Sequence, residues 1–266
     1  MKMSIVSQVY NCQDTLEELH SQITEVLLEL GFSYEIIFVN DASQDKSWEV
    51  IKSLKKRDNH VIGINFRRKY GTSAALQAAF DIAKGEYVFT LSPTLENSPQ
   101  ELKILLSTLE ARDLDLVVGR REGKMKGRFW RSVVAKLGNA LISKVCRASL
   151  SDVTSPVRLI RLDIVKKMRL YGDQHSFLPA IATLYGAKIE EVSIKHYKPV
   201  SPDIIEKTVS PFKMVLDLLV LKLILSFSTP PFTSPMRIFG AGGIISTLLG
   251  TLITLYLMYV KFFLGQ

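Results

Sequence analysis

The run Ile36-Ile-Phe-Val39 limits the folds open to this chain more than any other stretch. Four apolar, partly β-branched residues in succession show no polar face to water, so a strand made from them is buried on both sides. Strands covered on both faces belong to parallel sheets flanked by helices. The run ends on Asn40, Asp41, Ala42 and Ser43, which places polar groups at the carboxyl end of the strand, the edge where open α/β sheets bind ligands. The same residues also suit a helix start, with Ser43 or Asp45 capping a helix over 48–56. This stretch alone leaves both readings open.

The neighbouring sequence repeats the pattern. Residues 4–9, 61–66, 86–91 and 114–119 read as further strands. Helical stretches separate them, from 14 to about 30, 73–83 and 99–112, with Gly31 and Gly85 as stops. This alternation predicts a doubly wound, mainly parallel sheet with right-handed crossovers. Segments 157–168 and 187–196 supply further α/β elements.

Residues 120–147 change character. Arg120, Arg121, Lys124, Lys126, Arg128, Arg131, Lys136, Lys144 and Arg147 face a single acid, Glu122, which reads as a positive patch. With a net charge of +8, the chain suits polyanions: nucleic acid, anionic lipid or phosphorylated substrates. Zinc-finger spacing and aromatic-interleaved basic stretches are lacking, so no nucleic-acid partner is expected. Cys12 and Cys146 form no motif and imply a reducing compartment. His20, His60, His175 and His196 show no metal-ligand spacing and read as surface or satisfied core residues.

From residue 201 the composition shifts again. Residues 201–236 read as juxtamembrane helices lying in a membrane interface, with Lys213 and Lys222 snorkelling. Residues 238–260 carry no charge and exceed the roughly 20 residues that span a bilayer. The expected organisation is a folded domain over 1–200, the interfacial helices, a transmembrane helix over 237–261 and a short tail, 262–266. The N-terminus has no signal-peptide pattern. Basic residues crowd the sequence before the span, so a single-pass protein of the inner or plasma membrane is expected, with its folded domain in the cytoplasm.

Five blocks, in order, resemble one family. They are Val9-Tyr10-Asn11 at the end of the first strand; Val39-Asn40-Asp41-Ala42-Ser43 with Asp45 after the second; Arg68-Lys-Tyr-Gly71 before a small-residue helix; Ala83-Lys-Gly85-Glu-Tyr-Val-Phe-Thr-Leu91 entering the fourth; and Asp152-Val-Thr-Ser-Pro-Val-Arg158-Leu. Over roughly residues 1–240 the chain resembles family 2 glycosyltransferases with a GT-A fold, of the membrane-anchored polyprenyl-phosphate type. The resemblance implies transfer of a sugar from a nucleotide sugar to a polyprenyl phosphate in cell-envelope glycan or lipid modification.

It also implies roles for particular residues. Val9, Tyr10, Asn11, Asp41, Arg68, Gly71, Ser92 and Thr94 would line the nucleotide pocket, with Asp41 accepting from base or ribose. Arg121 and Arg131 would contact phosphate. Asp152 and Arg158 would stand near the acceptor, Asp152 as base or positioning carboxylate, or simply as the cap of a local turn. The family holds Mg2+ or Mn2+ on an Asp-x-Asp pair after the fourth strand. Here that pair is Ser92 and Thr94, leaving Glu96 as the carboxylate available to a metal. Three readings follow: an active transferase with a reorganised site; a catalytically silent relative that binds nucleotide or lipid phosphate or partners an active homologue; or a nucleic-acid or general anion binder, which the basic charge suggests and the apolar span and block order disfavour. Membrane lipids are expected around the span, and association of copies through it is left open.

Overall fold

All seven residues of the second strand are buried, as an unbroken apolar run requires. The computed structural model describes residues 1–122, 150–197 and 235–263. Arg131, most of the basic stretch, Cys146, the expected interfacial helices up to 234 and the last three residues lie outside the described residues. The chain divides into two units, Met1–Asp217 and Leu218–Gln266.

In the first unit, strands β1 (Met3–Val9), β2 (Tyr34–Asn40), β3 (Val61–Asn65), β4 (Tyr87–Thr90), β5 (Leu116–Arg121), β6 (Arg158–Arg161) and β7 (Ile189–Ile194) form one sheet in the order β3-β2-β1-β4-β6-β5-β7. Helices α1 (Leu16–Glu29), α2 (Ser47–Arg57), α3 (Thr72–Ile82), α4 (Glu101–Ala111), α5 (Leu162–Lys167) and α6 (Leu178–Leu184) connect or flank the strands. The first four strands form three parallel pairs: β1 with β2, β2 with β3 and β1 with β4.

Strand β6 is the antiparallel member that a mainly parallel, mixed sheet allows. It runs antiparallel to both neighbours, β4 and β5, making the sheet mixed. Arg158, its first residue, pairs with Thr90 at the carboxyl end of β4 and with Val118 in β5. A strand that enters from the carboxyl edge must run back against the others; only a crossover that returns to the amino edge gives a parallel strand. Apolar periodicity carries no record of that direction. The consequence matters for function, because the segment leading into β6 is delivered to the ligand edge.

Helix α1 buries Leu16, Leu19, Ile23, Val26 and Leu27, a stripe at helical spacing, into the core with Ile5, Ile36 and Phe38. Helix α4 does the same with Leu102, Leu105, Leu106 and Leu109. At the amino edge Gly85 passes so close to β1 that a Cβ would sit 2.4 Å from the Ser4 amide nitrogen, so only glycine fits there.

The second unit supplies α7, Pro235–Phe263. At 1.5 Å per residue its 29 residues extend for about 44 Å, more than the ~30 Å of a bilayer core. Gly242–Lys261 is long and apolar enough to cross a membrane, and large side chains such as Ile244, Leu248, Leu252 and Leu257 are exposed. The hydroxyls of Thr247, Thr251 and Thr254 donate to carbonyls four residues earlier, which removes polar groups from the helix surface.

Candidate functional site

Strands β1, β2, β3, β4 and β5 all end, and β6 begins, at one edge of the sheet. With Arg131 outside the described residues, every other candidate site residue lies at that edge or in the loops leaving it. The loops are bound to one another. After β1, the Asn11 amide donates to Ser43 Oγ at 3.0 Å, and Asn11 Oδ1 accepts the Gln44 amide at 2.8 Å. Lys46, rather than the expected Ser43 or Asp45, is the N-cap of α2; Asp45, one residue earlier, accepts the Ser47 amide and also the Gln13 amide, which ties the two loops together. The Cys12 amide donates to Ser47 Oγ, while burial pushes the Cys12 thiol up to about 11 and keeps it protonated. Asn11 and Ala42 both adopt positive φ, at 53° and 57°. Asn tolerates this conformation, whereas in Ala it costs about 1–3 kcal/mol and concentrates at functional sites.

Asp41 sits at the centre of this arrangement and is fully buried. Its Oδ1 accepts the Tyr70 amide at 2.7 Å, and its Oδ2 accepts the Gly71 amide and Gln8 Nε2, both at 3.0 Å. Three of a carboxylate's roughly four acceptor directions are thus used to fold the β3–α3 corner over β1. Gly71, at φ 89°, turns that corner into α3, and a side chain there would strain the backbone although space is open. Arg68 is exposed beside Tyr70, and Lys69 Nζ lies 3.4 Å from the centre of the Tyr10 ring. Val9 is buried beneath them.

At the end of β4, Ser92 Oγ and Thr94 Oγ1 are 2.8 Å apart and bond to each other. Thr15 Oγ1 donates to the Pro93 carbonyl at 2.6 Å, and Leu95 has φ 57°. The Glu96 carbonyl accepts the Tyr197 amide, binding this loop to the segment after β7. Hard divalent ions take several oxygens and favour carboxylates. Two hydroxyls committed to each other plus one carboxylate do not make that donor set, and the described residues contain no cluster of three His, Cys, Asp or Glu suited to a metal.

On the other side of β4, Arg121 and Asp152 form a two-point fork, Nε to Oδ2 at 2.7 Å and Nη2 to Oδ1 at 2.9 Å, with both side chains largely buried. Thr154 Oγ1 joins both residues, at 3.3 Å and 3.1 Å. Asp152 also opens a turn, since the Ser155 amide donates to its carbonyl. Arg158 is 2% exposed, donates from Nη2 to the Val153 carbonyl at 3.3 Å and leaves Nε without a hydrogen-bond partner. Burial, and then the charge of Arg121, lower its pKa to about 9, while Asp152 acts in the opposite direction.

Three residues at this edge escaped the sequence reading of the site. Gln8, a polar residue inside an apolar strand, grips Asp41. His175, in a short 3-10 turn (Gln174–Phe177), bonds through its amide to Ser73 Oγ at 2.9 Å, and its Nδ1 lies 3.1 Å from the same oxygen. Glu191 on β7 accepts the amides of Ser151 and Asp152. A depression of about 370 Å3 lined by Glu86, Arg161, Leu162, Asp163 and Lys166 lies at the opposite edge. Its cations are already engaged, Arg161 with the Leu114 carbonyl and Asp113, and Lys166 with the Phe80 and Asp81 carbonyls.

Residues 4–169 match the family model Glycosyl transferase family 2. The chain is 29% identical to the dodecaprenyl-phosphate galacturonate synthase of Rhizobium johnstonii, over 100% of this chain and 78% of that protein. It is also 29% identical to the undecaprenyl-phosphate 4-deoxy-4-formamido-L-arabinose transferase of Photorhabdus laumondii subsp. laumondii, over 99% of this chain and 78% of the relative. Among solved structures, glucosyl-3-phosphoglycerate synthase from Mycobacterium tuberculosis in complex with Mn2+ and uridine-diphosphate-glucose superposes with a TM-score of 0.62. That likeness spans 84% of this chain and 78% of that one at 15% identity, and is a likeness of fold.

Proposed function

The chain belongs to glycosyl transferase family 2, and on that footing we propose that it moves a sugar from a nucleotide sugar to a polyprenyl phosphate in cell-envelope glycan or lipid modification. The observation that carries this reading is the match to two sugar transferases of polyprenyl phosphates over essentially the whole chain, the apolar helix included.

The reaction is a displacement at an anomeric carbon. A nucleoside diphosphate leaves, and its developing charge needs prearranged positive groups. The attacking lipid phosphate is already anionic near neutrality, so alignment matters more than proton removal. In this reading Val9, Tyr10, Asn11, Arg68 and Gly71 wall the nucleotide. Asp41, fully buried here, fixes the Tyr70–Gly71 corner and would accept from base or ribose where that corner opens. Ser92 and Thr94 line the diphosphate side as neutral hydroxyls. Arg121 and Arg131 meet phosphate, and Arg158 stands behind them near the acceptor. Asp152, already forked to Arg121, serves as a positioning carboxylate rather than a base. The residues at this edge do not hold Mg2+ or Mn2+ by themselves; a cation would have to arrive on the substrate's own phosphate oxygens, with Glu96 as the one carboxylate it could meet. The helix α7 anchors the protein in membrane lipid, with the folded domain on the cytoplasmic side of a single span, where copies can associate.

The hydroxyl pair Ser92–Thr94 favours a second reading, a silent relative that binds nucleotide or lipid phosphate without turnover. Membranes containing the protein, supplied with a panel of radiolabelled nucleotide sugars, separate the two. We expect label to enter a polyprenyl-phosphate fraction, and to do so in the presence of EDTA. Absence of transfer from every donor, with and without Mg2+ and Mn2+, selects the silent reading.

A further inference from the structure

Glu191 lies on β7, beyond the residues that the family model matches. Its Oε1 accepts the Asp152 amide at 2.6 Å and the Ser151 amide at 3.0 Å, and its Oε2 accepts the Ser151 amide at 2.8 Å. A charged acceptor on two successive amides makes short, strong bonds and fixes where the turn begins. Asp152, the first residue of that turn, holds Arg121 by the two-point fork. The two ends of this relay sit on adjacent strands: Glu191 pairs with Val118 in the register that places Arg121 at the end of β5. A side chain set by strands is held more tightly than one set by loops.

The relay also decides which atoms of Arg121 remain for a ligand. A guanidinium has five N–H groups. The fork and Thr154 occupy Nε and Nη2, and no hydrogen bond among the described residues uses Nη1. Asp152 and Glu191 therefore point Arg121 without consuming its whole donor capacity.

We propose that Glu191 is a positioning residue for sugar transfer, setting the Asp152–Ser155 turn so that Asp152 presents Arg121 to a phosphate group of the substrate. The inference rests on the transferase reading above. The phosphate is either the lipid acceptor's monoester or the donor's diphosphate, and the two are separated by which substrate loses affinity.

The test uses the full chain in detergent, as wild type, Glu191→Ala, Glu191→Gln, Arg121→Ala and the double variant Glu191→Ala/Arg121→Ala. Initial rates are measured with polyprenyl phosphate varied at saturating donor, and with donor varied at saturating acceptor. Glu191→Ala should raise KM for one of the two substrates by about 10- to 100-fold, the scale of a small misplacement at a reacting centre. Glu191→Gln should restore it, because the amide oxygen still accepts both N–H groups. In the Arg121→Ala background Glu191→Ala should add nothing further, since the two act as one unit. Unchanged KM values, full additivity with Arg121→Ala, or a fall in thermal midpoint that accounts for losses on both substrates would overturn the proposal. The same proteins are titrated calorimetrically with inorganic phosphate and with pyrophosphate. Weaker binding in Glu191→Ala and Arg121→Ala, recovered in Glu191→Gln, supports the relay even if wild type transfers no sugar, an outcome that would sink only the transferase reading. No binding of either anion by wild type, or equal binding by all five proteins, overturns the relay itself.

Discussion

A guanidinium that is 2% exposed ordinarily has a carboxylate against it, because an uncompensated buried charge costs several kcal/mol. Arg158 has one long hydrogen bond to a carbonyl, an unpaired Nε and a second cation, Arg121, nearby. Burial first, and Arg121 second, hold its pKa down to about 9, with Asp152 acting in the opposite direction. Residues that weaken the fold in this way are retained where a ligand gains from them. Arg158→Met, similar in length and uncharged, is therefore expected to leave stability unchanged or raise it by about 1–4 kcal/mol, the range seen when buried charges give way to apolar side chains. Sugar transfer should fall about 10- to 100-fold, the scale of a small misplacement of the phosphate-facing groups in front of it. Urea midpoints read the first quantity and initial rates the second. A large loss of stability with activity in proportion would make Arg158 a structural residue instead.

At the scale of elements, the strand ends opposite the candidate site are joined by a small charged cluster. Asp58, at the end of α2, accepts from His20 on α1 at 2.9 Å and lies 2.7 Å from Nδ1 of His60, whose ring stacks on Tyr34 at the start of β2. Burial pushes the Asp58 carboxyl up, but the His60 amide and the two imidazoles outweigh it and hold the pKa below its ordinary 3.8. A carboxylate depressed in the folded state adds stability above its unfolded value and loses it as pH falls through the folded one. Asp58→Asn should therefore cost about 1–2 kcal/mol at pH 7, and the gap between variant and wild type should close as pH falls below about 4. Denaturant midpoints at pH 7, 4 and 3 give the comparison; a gap that persists unchanged at pH 3 would remove Asp58 from the linkage. What the sequence shows of these elements follows their physics. The apolar run of β2, the stripe of α1 and the small-residue α3 each carry a local period, so element positions were readable to within about two residues. The direction of β6 was not, because it depends on which edge the chain enters. Nor were the Asp41 bonds to Gln8, Tyr70 and Gly71, the Ser73–His175 contact or the Glu191 tether readable. Each joins residues between 29 and 102 positions apart through geometry that only the assembled sheet creates. Two clues were present: a glutamine inside an apolar strand, and successive acids Glu190-Glu191 in a short one.

At the scale of the whole molecule, a folded unit with the candidate site at one sheet edge is joined in one chain to a helix that a bilayer would accept. The proposed transfer would require such a pairing of units, since a nucleotide sugar is water-soluble whereas a polyprenyl phosphate keeps its tail in lipid. Membrane residence should then be separable from donor recognition. The 20-residue stretch Gly242–Lys261 has no charge before its last residue, and a lysine near the centre of such a span costs about 2.5–3.5 kcal/mol on insertion scales. Leu249→Lys and Ile253→Lys together should therefore move the protein out of the membrane fraction, whereas wild type should resist alkaline carbonate and require detergent. The double variant should still bind nucleotide, because the loops around Asp41 are tied within the first unit. It should transfer sugar poorly to polyprenyl phosphate in vesicles, where access to the lipid headgroup depends on the anchor. Fractionation, calorimetry with nucleotide and a vesicle transfer assay test the three parts. A variant that stays carbonate-resistant would show that another segment holds the protein at the membrane. A variant that is released yet transfers to vesicle-borne acceptor at the wild-type rate would show that the helix has no part in presenting the acceptor.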